Sequence, residues 1–254
     1  MTPATLRPDR RHFPGPGDVH VWRASLGAGT AELRRAWDLL TREEQDRAEQ
    51  YRYEPDAARF VMRRSILRLL LSRYLGRPGR EVALQVDERG KPTLLTRSPP
   101  TTLQFSVSYS HDAVLYAFAA GRAVGIDIER IGANITGPLG AIAGNDVIAA
   151  LGPMADARRV RLGYRYWVRA EACLKATGVG LPGAECLLGL GAAEERMAGT
   201  VVRTRTDELR LWDLGQGRVH AAALAIDGAG DAKVRVLRLG ARARILARSS
   251  CRRT

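Results

Sequence analysis

The stretch Val124-Gly-Ile-Asp-Ile-Glu129 decides how this chain folds, because apolar and acidic side chains alternate along it. Successive side chains of a β-strand point to opposite faces, so Asp127 and Glu129 share one face and the two isoleucines enter the opposite layer. A solvated face is the ordinary explanation of such an acidic pair. Gly125 favours a different one, since a glycine inside a strand lets another backbone or a ligand come close. The stretch therefore predicts a buried strand that carries two candidate functional carboxylates.

A third carboxylate follows further along the chain, on a predicted helix that ends at Gly178. Trp167, Glu171 and Lys175 are spaced four residues apart there and share one helix face. An ordinary Glu–Lys pair explains this spacing by itself and contributes only about 0.2 to 0.5 kcal/mol. If Glu171 instead lies beside the two strand carboxylates, the three supply the oxygen ligands that Mg²⁺ prefers. The pattern leaves both explanations open.

The predicted elements repeat one order along the chain, helices first and strands after them. Residues 30–129 and residues 130–226 each place a long helix before a run of strands. This order predicts an α+β protein of two similar halves packed side by side. Helices are expected at 30–40, from 41, at 57–75 and at 164–177, with a helix-like segment at 146–151; strands are expected at 19–23, 82–86, 103–109, 114–119, 123–129, 200–205, 208–213 and 219–226, and a short hairpin loop at 120–122.

Two local patterns refine the N-terminal helices. Thr41 and Glu44 match a capping box at the start of the second helix. In the helix at 57–75, the arginines are expected to lie largely off the apolar stripe, Arg68 among them.

Four segments are expected along the chain. Residues 230–254 are predicted to be a basic tail, because residues 242–253 carry five arginines and no acid. The segments are an N-terminal extension at 1–18, an N-terminal α+β half at 19–120, a C-terminal α+β half with the magnesium site at 121–229, and the basic tail at 230–254.

The composition is that of a globular protein: of the 254 residues, 45% are hydrophobic and 26% are charged. The net charge of +13 arises from 40 basic and 27 acidic residues, and only three of the 40 are lysine. A compositional bias towards arginine explains this charge, and so does an anionic partner. Nucleic-acid binding is disfavoured, because only 6% of the residues are aromatic and few lie among the basic runs.

The sequence also predicts a location and the type of metal. No apolar run approaches the roughly 20 residues of a membrane-spanning helix, and the first residues lack the apolar core of a signal peptide. Three cysteines without CxxC spacing suit a reducing compartment, so we expect a cytoplasmic protein that does not bind membranes. With four scattered histidines, a bound metal is expected to be a hard ion held by carboxylates.

The strand motif Val124–Glu129 and the helix motif Trp167–Lys175 together resemble the bipartite signature of the 4′-phosphopantetheinyl transferases. They are most similar to the signature of the Sfp-type enzymes, which activate peptide and polyketide synthases. Other parts of the chain extend the resemblance: Arg47 in the early helix, Arg59 to Arg68 in the long helix, Gly90-Lys-Pro92, and Phe105-Ser-Val-Ser-Tyr-Ser-His111, which is similar to the family's serine-histidine motif. The resemblance covers about residues 19 to 226. It implies a pseudo-twofold arrangement of two α+β halves with the active site in the cleft between them.

The resemblance also implies a reaction. Coenzyme A is cleaved at its pyrophosphate, and the phosphopantetheine arm passes to a serine of an apo acyl or peptidyl carrier protein, leaving adenosine 3′,5′-bisphosphate. The implied magnesium ligands are Asp127, Glu129 and Glu171. The candidate catalytic residues are Asp127, Glu171 and Lys175. Lys175 supplies a cation, and either Glu171 or a water held by the metal is expected to take the proton from the serine. The implied coenzyme A contacts are Arg47, Arg59, Lys91, Ser108, Tyr109, Ser110 and His111. A monomer is expected.

Two positions depart from the family's pattern. Ala170 stands where the family usually has a lysine next to the reacting phosphates, and Arg169 stands one position earlier. Tyr109 occupies the family's histidine position, and His111 follows two residues later, so either could face the 3′-phosphate. Residues 132–155 also lack the aromatic and acidic pattern that the family has between the two halves of its signature. Ala170 and this segment motivate an alternative function: a catalytically degenerate relative that binds coenzyme A or a carrier without turnover.

Overall fold

Two four-stranded sheets form the centre of the computed structural model, and one long helix covers the outside of each. The structure describes residues 13–86, 91–95, 101–135, 157–178, 198–204, 207–215 and 217–239. Its helices are α1 (Thr30–Trp37), α2 (Arg42–Glu49), α3 (Glu54–Leu75) and α4 (Ala157–Thr177), with one 3₁₀ turn at Gly79–Glu81. Its strands are β1 (Asp18–Ser25), β2 (Leu84–Val86), β3 (Pro92–Leu94), β4 (Leu103–Ser110), β5 (Ala113–Ala120), β6 (Val124–Arg130), β7 (Ala198–Arg203), β8 (Glu208–Asp213), β9 (His220–Asp227) and β10 (Lys233–Arg238). No helix in these ranges is long and apolar enough to cross a membrane.

The first sheet has the strand order β10-β1-β5-β4, and helix α3 covers its outer face. Helix α3 begins with Pro55 in its first turn and ends at Gly76, whose φ of 63° is the left-handed conformation that commonly closes a helix. Its apolar side chains, Ile66 and Leu70 among them, join a buried cluster with Tyr116 and Phe118 of β5. The long amphipathic helix of the sequence thus forms the outer wall of the N-terminal half.

Helix α2 begins with the predicted capping box, and one of its residues is the buried partner of an arginine of α3. The Thr41 hydroxyl accepts a hydrogen bond from the backbone N–H of Glu44, which confirms the predicted cap. The Glu44 carboxylate then accepts a hydrogen bond of 2.8 Å from Arg68. Arg68 is only 3% exposed and also donates to the carbonyls of Gly79 and Val82. The expectation that Arg68 lies off the buried face is wrong, because a carboxylate and two carbonyls satisfy its guanidinium inside the fold.

The second sheet has the order β6-β9-β8-β7 and is antiparallel throughout. Helix α4 covers its outer face, where Val168 and Leu174 join a buried cluster with Leu211 and Ala225. The two sheets face each other across a third cluster, which contains Leu115 and Ala117 of the first sheet and Ile126, Ile128 and Leu224 of the second. The layers are therefore helix, sheet, sheet, helix, and the prediction of two similar α+β halves is confirmed.

The hairpin predicted at residues 120–122 is wrong. Strand β5 is already bonded along both edges, to β1 and to β4, so β6 cannot join it. The chain instead crosses at this loop to the second sheet, where β6 pairs with β9. The short loop is thus the connection between the two halves.

Strand β10 lies inside the segment predicted as a basic tail, which is wrong for residues 233–238. It pairs in parallel with β1 and covers an edge that β1 would otherwise expose. Arg122 holds the loop before β10 by donating to the carbonyls of Asp227 and Gly228, both at 2.6 Å. The short strand β3 was not predicted either, and α4 begins seven residues before the predicted 164. The rest of the tail after residue 239 and the predicted helix at 146–151 lie outside the described residues.

A row of serines joins the two sheets along their adjacent edges, β4 and β6. Strand β6 is an edge strand, so the backbone N–H groups on its outer side have no strand partner. Buried serine hydroxyls at alternate positions of β4 accept hydrogen bonds from these N–H groups. The pairs are Ser106 with Ile126 at 3.2 Å, Ser108 with Ile128 at 3.4 Å, and Ser110 with Arg130 at 3.0 Å. We call these three residues the serine ladder.

Gly125 allows helix α4 to lie directly against β6. A Cβ atom on Gly125 would overlap the carbonyl oxygen of Ala172 and lie 2.5 Å from the backbone nitrogen of Ala176. The sequence-based expectation of a close approach at this glycine is confirmed, and the approaching group is the helix backbone.

Gly125→Ala is expected to destabilise the protein by about 2 kcal/mol or more, because an added methyl group must push α4 off the sheet. Chemical denaturation measures this change. Gly230→Ala is the matched control, since its Cβ would meet nothing within 4 Å, and it should change stability by less than about 0.5 kcal/mol. Equal stability of the two variants would contradict the packing described here.

Candidate active site

Asp127 is the buried centre of the site. Its side chain lies on the face of β6 that meets α4 and the residue is 2% exposed. Oδ1 accepts hydrogen bonds from the Ser108 hydroxyl at 2.7 Å and from the Lys175 ammonium at 2.6 Å. Oδ2 is buried and has no hydrogen-bond partner among the described residues. A buried carboxylate oxygen without a partner is costly, so Oδ2 is suited to a ligand.

Glu129 and Glu171 complete the carboxylate group. The Ser110 hydroxyl donates to Glu129 at 2.8 Å. Burial raises the pKa of the Glu129 carboxyl; the Ser110 hydrogen bond opposes this rise and the charge of Asp127 adds to it. Burial likewise raises the pKa of the Glu171 carboxyl, with Lys175 opposing the rise and Asp127 adding to it. The three carboxylates are therefore close enough to repel one another.

Lys175 provides the positive charge in this group. Its ammonium contacts Asp127 and also donates to the Ser108 hydroxyl at 3.3 Å. Lys91, a predicted coenzyme A contact, lies beside Lys175. The Lys91 ammonium donates a hydrogen bond of 2.5 Å to the backbone carbonyl of Lys175. A cation at the C-terminal end of a helix is favourable, so Lys91 both stabilises α4 and brings a charge from the N-terminal half to the site.

The donor set suits a hard divalent cation. The described residues contain no group of three His, Cys, Asp or Glu side chains that already converge as ligands. They do bring together three carboxylates, one of which has a buried oxygen without a partner. Carboxylate oxygens are the protein ligands that Mg²⁺ prefers. The residues present therefore fit a magnesium ion.

The predicted coenzyme A residues of β4 lie on two sides of that strand. The hydroxyls of Ser108 and Ser110 point to the carboxylates and to β6, where they hold Asp127 and Glu129. Tyr109 points the other way and is 47% exposed, and the guanidinium of Arg63 lies 3.6 Å from the centre of its ring.

Tyr109 and Arg63 belong to a basic surface at the N-terminal end of α3. Arg63 also lies near the ring of Phe60, as Arg47 does from α2, both at 5.7 Å from the ring centre. Arg59 stands on the same end of the helix and pairs with Asp56 at 3.1 Å. Sequence reasoning gave Arg63 no role of its own, although its spacing of four residues from Arg59 was a usable signal. We call Arg47, Arg59, Arg63 and Tyr109 the α3 surface.

His111 lies elsewhere. It occupies the turn between β4 and β5 with a φ of 54°, in the left-handed region, and it lines a cavity with Arg23, Arg130 and His220. Tyr109 does not line that cavity. The two residues that compete for the 3′-phosphate in the sequence are thus separated in the fold.

The residues beside Glu171 on α4 do not replace the family's lysine. Arg169 is fully buried and its guanidinium forms two hydrogen bonds with Asp213, at 2.9 Å and 2.7 Å. Ala170 is also fully buried, in the cluster between α4 and its sheet. The resemblance implies that position 170 lies next to the reacting phosphates. In the structure, Ala170 instead packs in the buried cluster between α4 and its sheet. The cation nearest the carboxylates is Lys175.

Comparison with known proteins gives the same division of the chain. Residues 22–122 match the family described as 4′-phosphopantetheinyl transferase, N-terminal, and residues 123–225 match the 4′-phosphopantetheinyl transferase superfamily. The two matches meet in the loop that connects the two sheets.

Curated relatives agree with these matches. The chain is 32% identical to the 4′-phosphopantetheinyl transferase HetI of Nostoc sp. over 168 residues, which cover 65% of this chain and 70% of the relative. It is 30% identical to a phosphopantetheinyl transferase of Thraustochytrium sp., covering 65% of this chain and 63% of the relative. It is 27% identical to the L-aminoadipate-semialdehyde dehydrogenase-phosphopantetheinyl transferase of Pongo abelii, covering 63% of this chain and 56% of the relative. With its two matched halves and its carboxylate site at their junction, the chain belongs to the 4′-phosphopantetheinyl transferase superfamily.

Proposed function

We propose that this protein transfers the 4′-phosphopantetheine arm of coenzyme A to a serine of an apo acyl or peptidyl carrier protein, in a reaction that depends on Mg²⁺. The observation that carries the proposal is the buried Asp127, held by Ser108 and Lys175 with its second oxygen free, beside Glu129 and Glu171. The names of the relatives, all phosphopantetheinyl transferases, support the same activity.

The reaction exchanges one phosphorus–oxygen bond for another. The carrier serine oxygen attacks the phosphorus that bears the pantetheine arm, and the bond from that phosphorus to the bridging oxygen breaks. Adenosine 3′,5′-bisphosphate leaves with the bridging oxygen and its electron pair. Such a transfer needs an aligned nucleophile and positive charge at the phosphate oxygens rather than covalent help from the protein.

The residues of the site supply these requirements. Mg²⁺ held by Asp127, Glu129 and Glu171 would neutralise charge on the pyrophosphate oxygens. Lys175 adds a second positive charge, and its contact with Asp127 holds it at the carboxylates. Glu171 is the group that we assign to accept the serine proton, since it is a carboxylate on the half-exposed face of α4.

The nucleotide end of coenzyme A is assigned to the α3 surface. Its arginines suit phosphate groups, because a guanidinium can donate two parallel hydrogen bonds. Tyr109 offers a half-exposed ring next to Arg63. Ser108 and Ser110 act as positioning residues, and Lys91 contributes positive charge at the junction. One chain supplies both halves of the site, so we propose a monomeric enzyme of the Sfp type that acts in the cytoplasm.

Asp127→Asn is expected to reduce transfer by about 100-fold or more, roughly 2.7 kcal/mol of transition-state stabilisation, because it removes the charge at the centre of the site. The mass gained by an apo carrier incubated with coenzyme A and Mg²⁺ measures the rate. Asp231→Asn is the control, since Asp231 is fully exposed and pairs only with Arg210 among the described residues.

Two results of this experiment would contradict the proposal. Wild-type protein that binds coenzyme A but adds no mass to any of a panel of apo carriers would establish the catalytically degenerate alternative. An Asp127→Asn variant that keeps more than about a tenth of the rate would remove Asp127 from the centre of the site.

Arg63→Gln is expected to weaken the binding of coenzyme A at least about tenfold, roughly 1.4 kcal/mol. It should weaken the binding of dephospho-coenzyme A less, because the α3 surface is assigned to the 3′-phosphate. Isothermal titration calorimetry with both ligands measures the difference. Arg73→Gln, an exposed arginine near the other end of the same helix, controls for the loss of one charge. An equal loss for the two ligands would move the 3′-phosphate away from this surface.

A further inference from the structure

A second basic site shares His111 with the coenzyme A contacts expected from the sequence and otherwise lies outside the residues assigned to transfer. A cavity of about 680 Å³ opens at one end of the interface between the two sheets. Five basic side chains line it: Arg23 at the end of β1, His111 in the β4–β5 turn, Arg130 at the end of β6, His220 at the start of β9 and Arg238 at the end of β10. The carboxylate site consists of Asp127, Glu129, Glu171 and Lys175, and none of these residues lines the cavity.

Two directly opposed pairs of basic residues line this cavity, and one of them consists of two arginines. Arg23 lies opposite Arg238 in the β1–β10 pair, and Arg130 lies opposite His220 in the β6–β9 pair. Like charges directly opposite each other destabilise a sheet. Arg23 and Arg238 therefore repel each other, whereas burial lowers the pKa of His220 and so favours its neutral form beside Arg130. Each half of the protein contributes one of the two pairs, and both line the same cavity.

No acid of the described structure compensates these charges. Among the described residues that line the cavity, Asp112 is the one acid, and Arg59 engages its carboxylate at 3.1 Å from the α3 side. Within the same described ranges, Arg23, Arg130 and Arg238 form no ion pair. A concentration of unpaired positive charge in a concave surface attracts anions.

His220 points to the same conclusion. Its Nε2 atom is buried and has no hydrogen-bond partner in the described structure. Burial lowers the pKa of His220, and the positive charges of Arg23, Arg130 and His111 lower it further. The cavity therefore combines the positive charge of its arginines with a histidine that has a ring nitrogen without a partner in the described structure.

His111 reaches the rim of the cavity from an unusual backbone conformation. It is the one non-glycine residue in the described ranges with a positive φ, at 54°. A positive φ is uncommon for a residue with a side chain, but the two-residue loops that join antiparallel strands commonly require one, and this turn carries His111 to the rim of the cavity.

We propose that this cavity binds the phosphate group of a small molecule at a site separate from the carboxylate site. Guanidinium groups recognise phosphate with two parallel hydrogen bonds. The volume lies within the range of about 300 to 1,000 Å³ that is typical of small-molecule sites. An anion in the cavity would also relieve the repulsion between Arg23 and Arg238. The site goes beyond the proposed transfer and does not depend on it.

Inorganic pyrophosphate in Mg²⁺-free buffer is the probe, with binding followed by calorimetry in the presence of saturating coenzyme A. The test variant is Arg130→Gln/Arg238→Gln, which removes one exposed charge from each opposed pair. Arg235→Gln is the matched control, because Arg235 is exposed on the same strand as Arg238 but pairs with Asp18 at the opposite face. We expect the double variant to bind pyrophosphate at least about tenfold more weakly and the control to bind within about twofold of wild type.

Thermal unfolding gives an independent readout. Without pyrophosphate, the double variant should unfold at a higher temperature than the wild type, because the repulsion between Arg23 and Arg238 is gone. Pyrophosphate should raise the unfolding temperature of the wild type more than that of the double variant. Displacement of pyrophosphate by coenzyme A, an equal loss of binding in Arg235→Gln, or no binding to the wild type at millimolar concentration would each overturn the proposal.

Discussion

The backbone N–H groups on the outer edge of β6 must find acceptors, and the serine ladder of β4 supplies them. An unsatisfied buried N–H costs about 1 to 3 kcal/mol, so three serines at alternate positions hold the two sheets in one register. Ser108 does more than satisfy the backbone. It accepts from Ile128 and donates to Asp127, so the same hydroxyl joins the two halves and orients the central carboxylate.

The second constraint is the contact between α4 and β6 at Gly125. Because no side chain separates the helix from the strand, Lys175 reaches Asp127 at 2.6 Å. Burial raises the pKa of Glu129, and Glu171 lies near enough for its charge to add to this rise. The site is thus built from one strand of the first sheet, one strand of the second sheet and one helix. Contacts within the fold position each of these elements.

The sequence predicted the parts of this structure that depend on local periodicity. The alternation around Asp127, the capping box at Thr41 and the close approach at Gly125 were all readable, and so was the repeated order of helices and strands. The errors concern partners that are distant in sequence. The hairpin at 120–122 was wrong because the partners of β5 come from β1 and β4, and β10 was missed because its role is to cover the edge of β1. The burial of Arg68 and Arg169 depends on Glu44 and Asp213, which no local pattern connects to them.

The central claim is that the serine ladder serves both the fold and the carboxylate site at Ser108, and serves the fold alone at Ser106. The most direct measurement is the rate of phosphopantetheine transfer to an apo carrier by Ser108→Ala compared with Ser106→Ala, each corrected for its folded fraction. Both variants should lose about 1 to 3 kcal/mol of stability, because each leaves one N–H of β6 without its acceptor. Transfer should fall at least about tenfold in Ser108→Ala and stay within about threefold of wild type in Ser106→Ala. Equal transfer rates in the two variants would contradict the account.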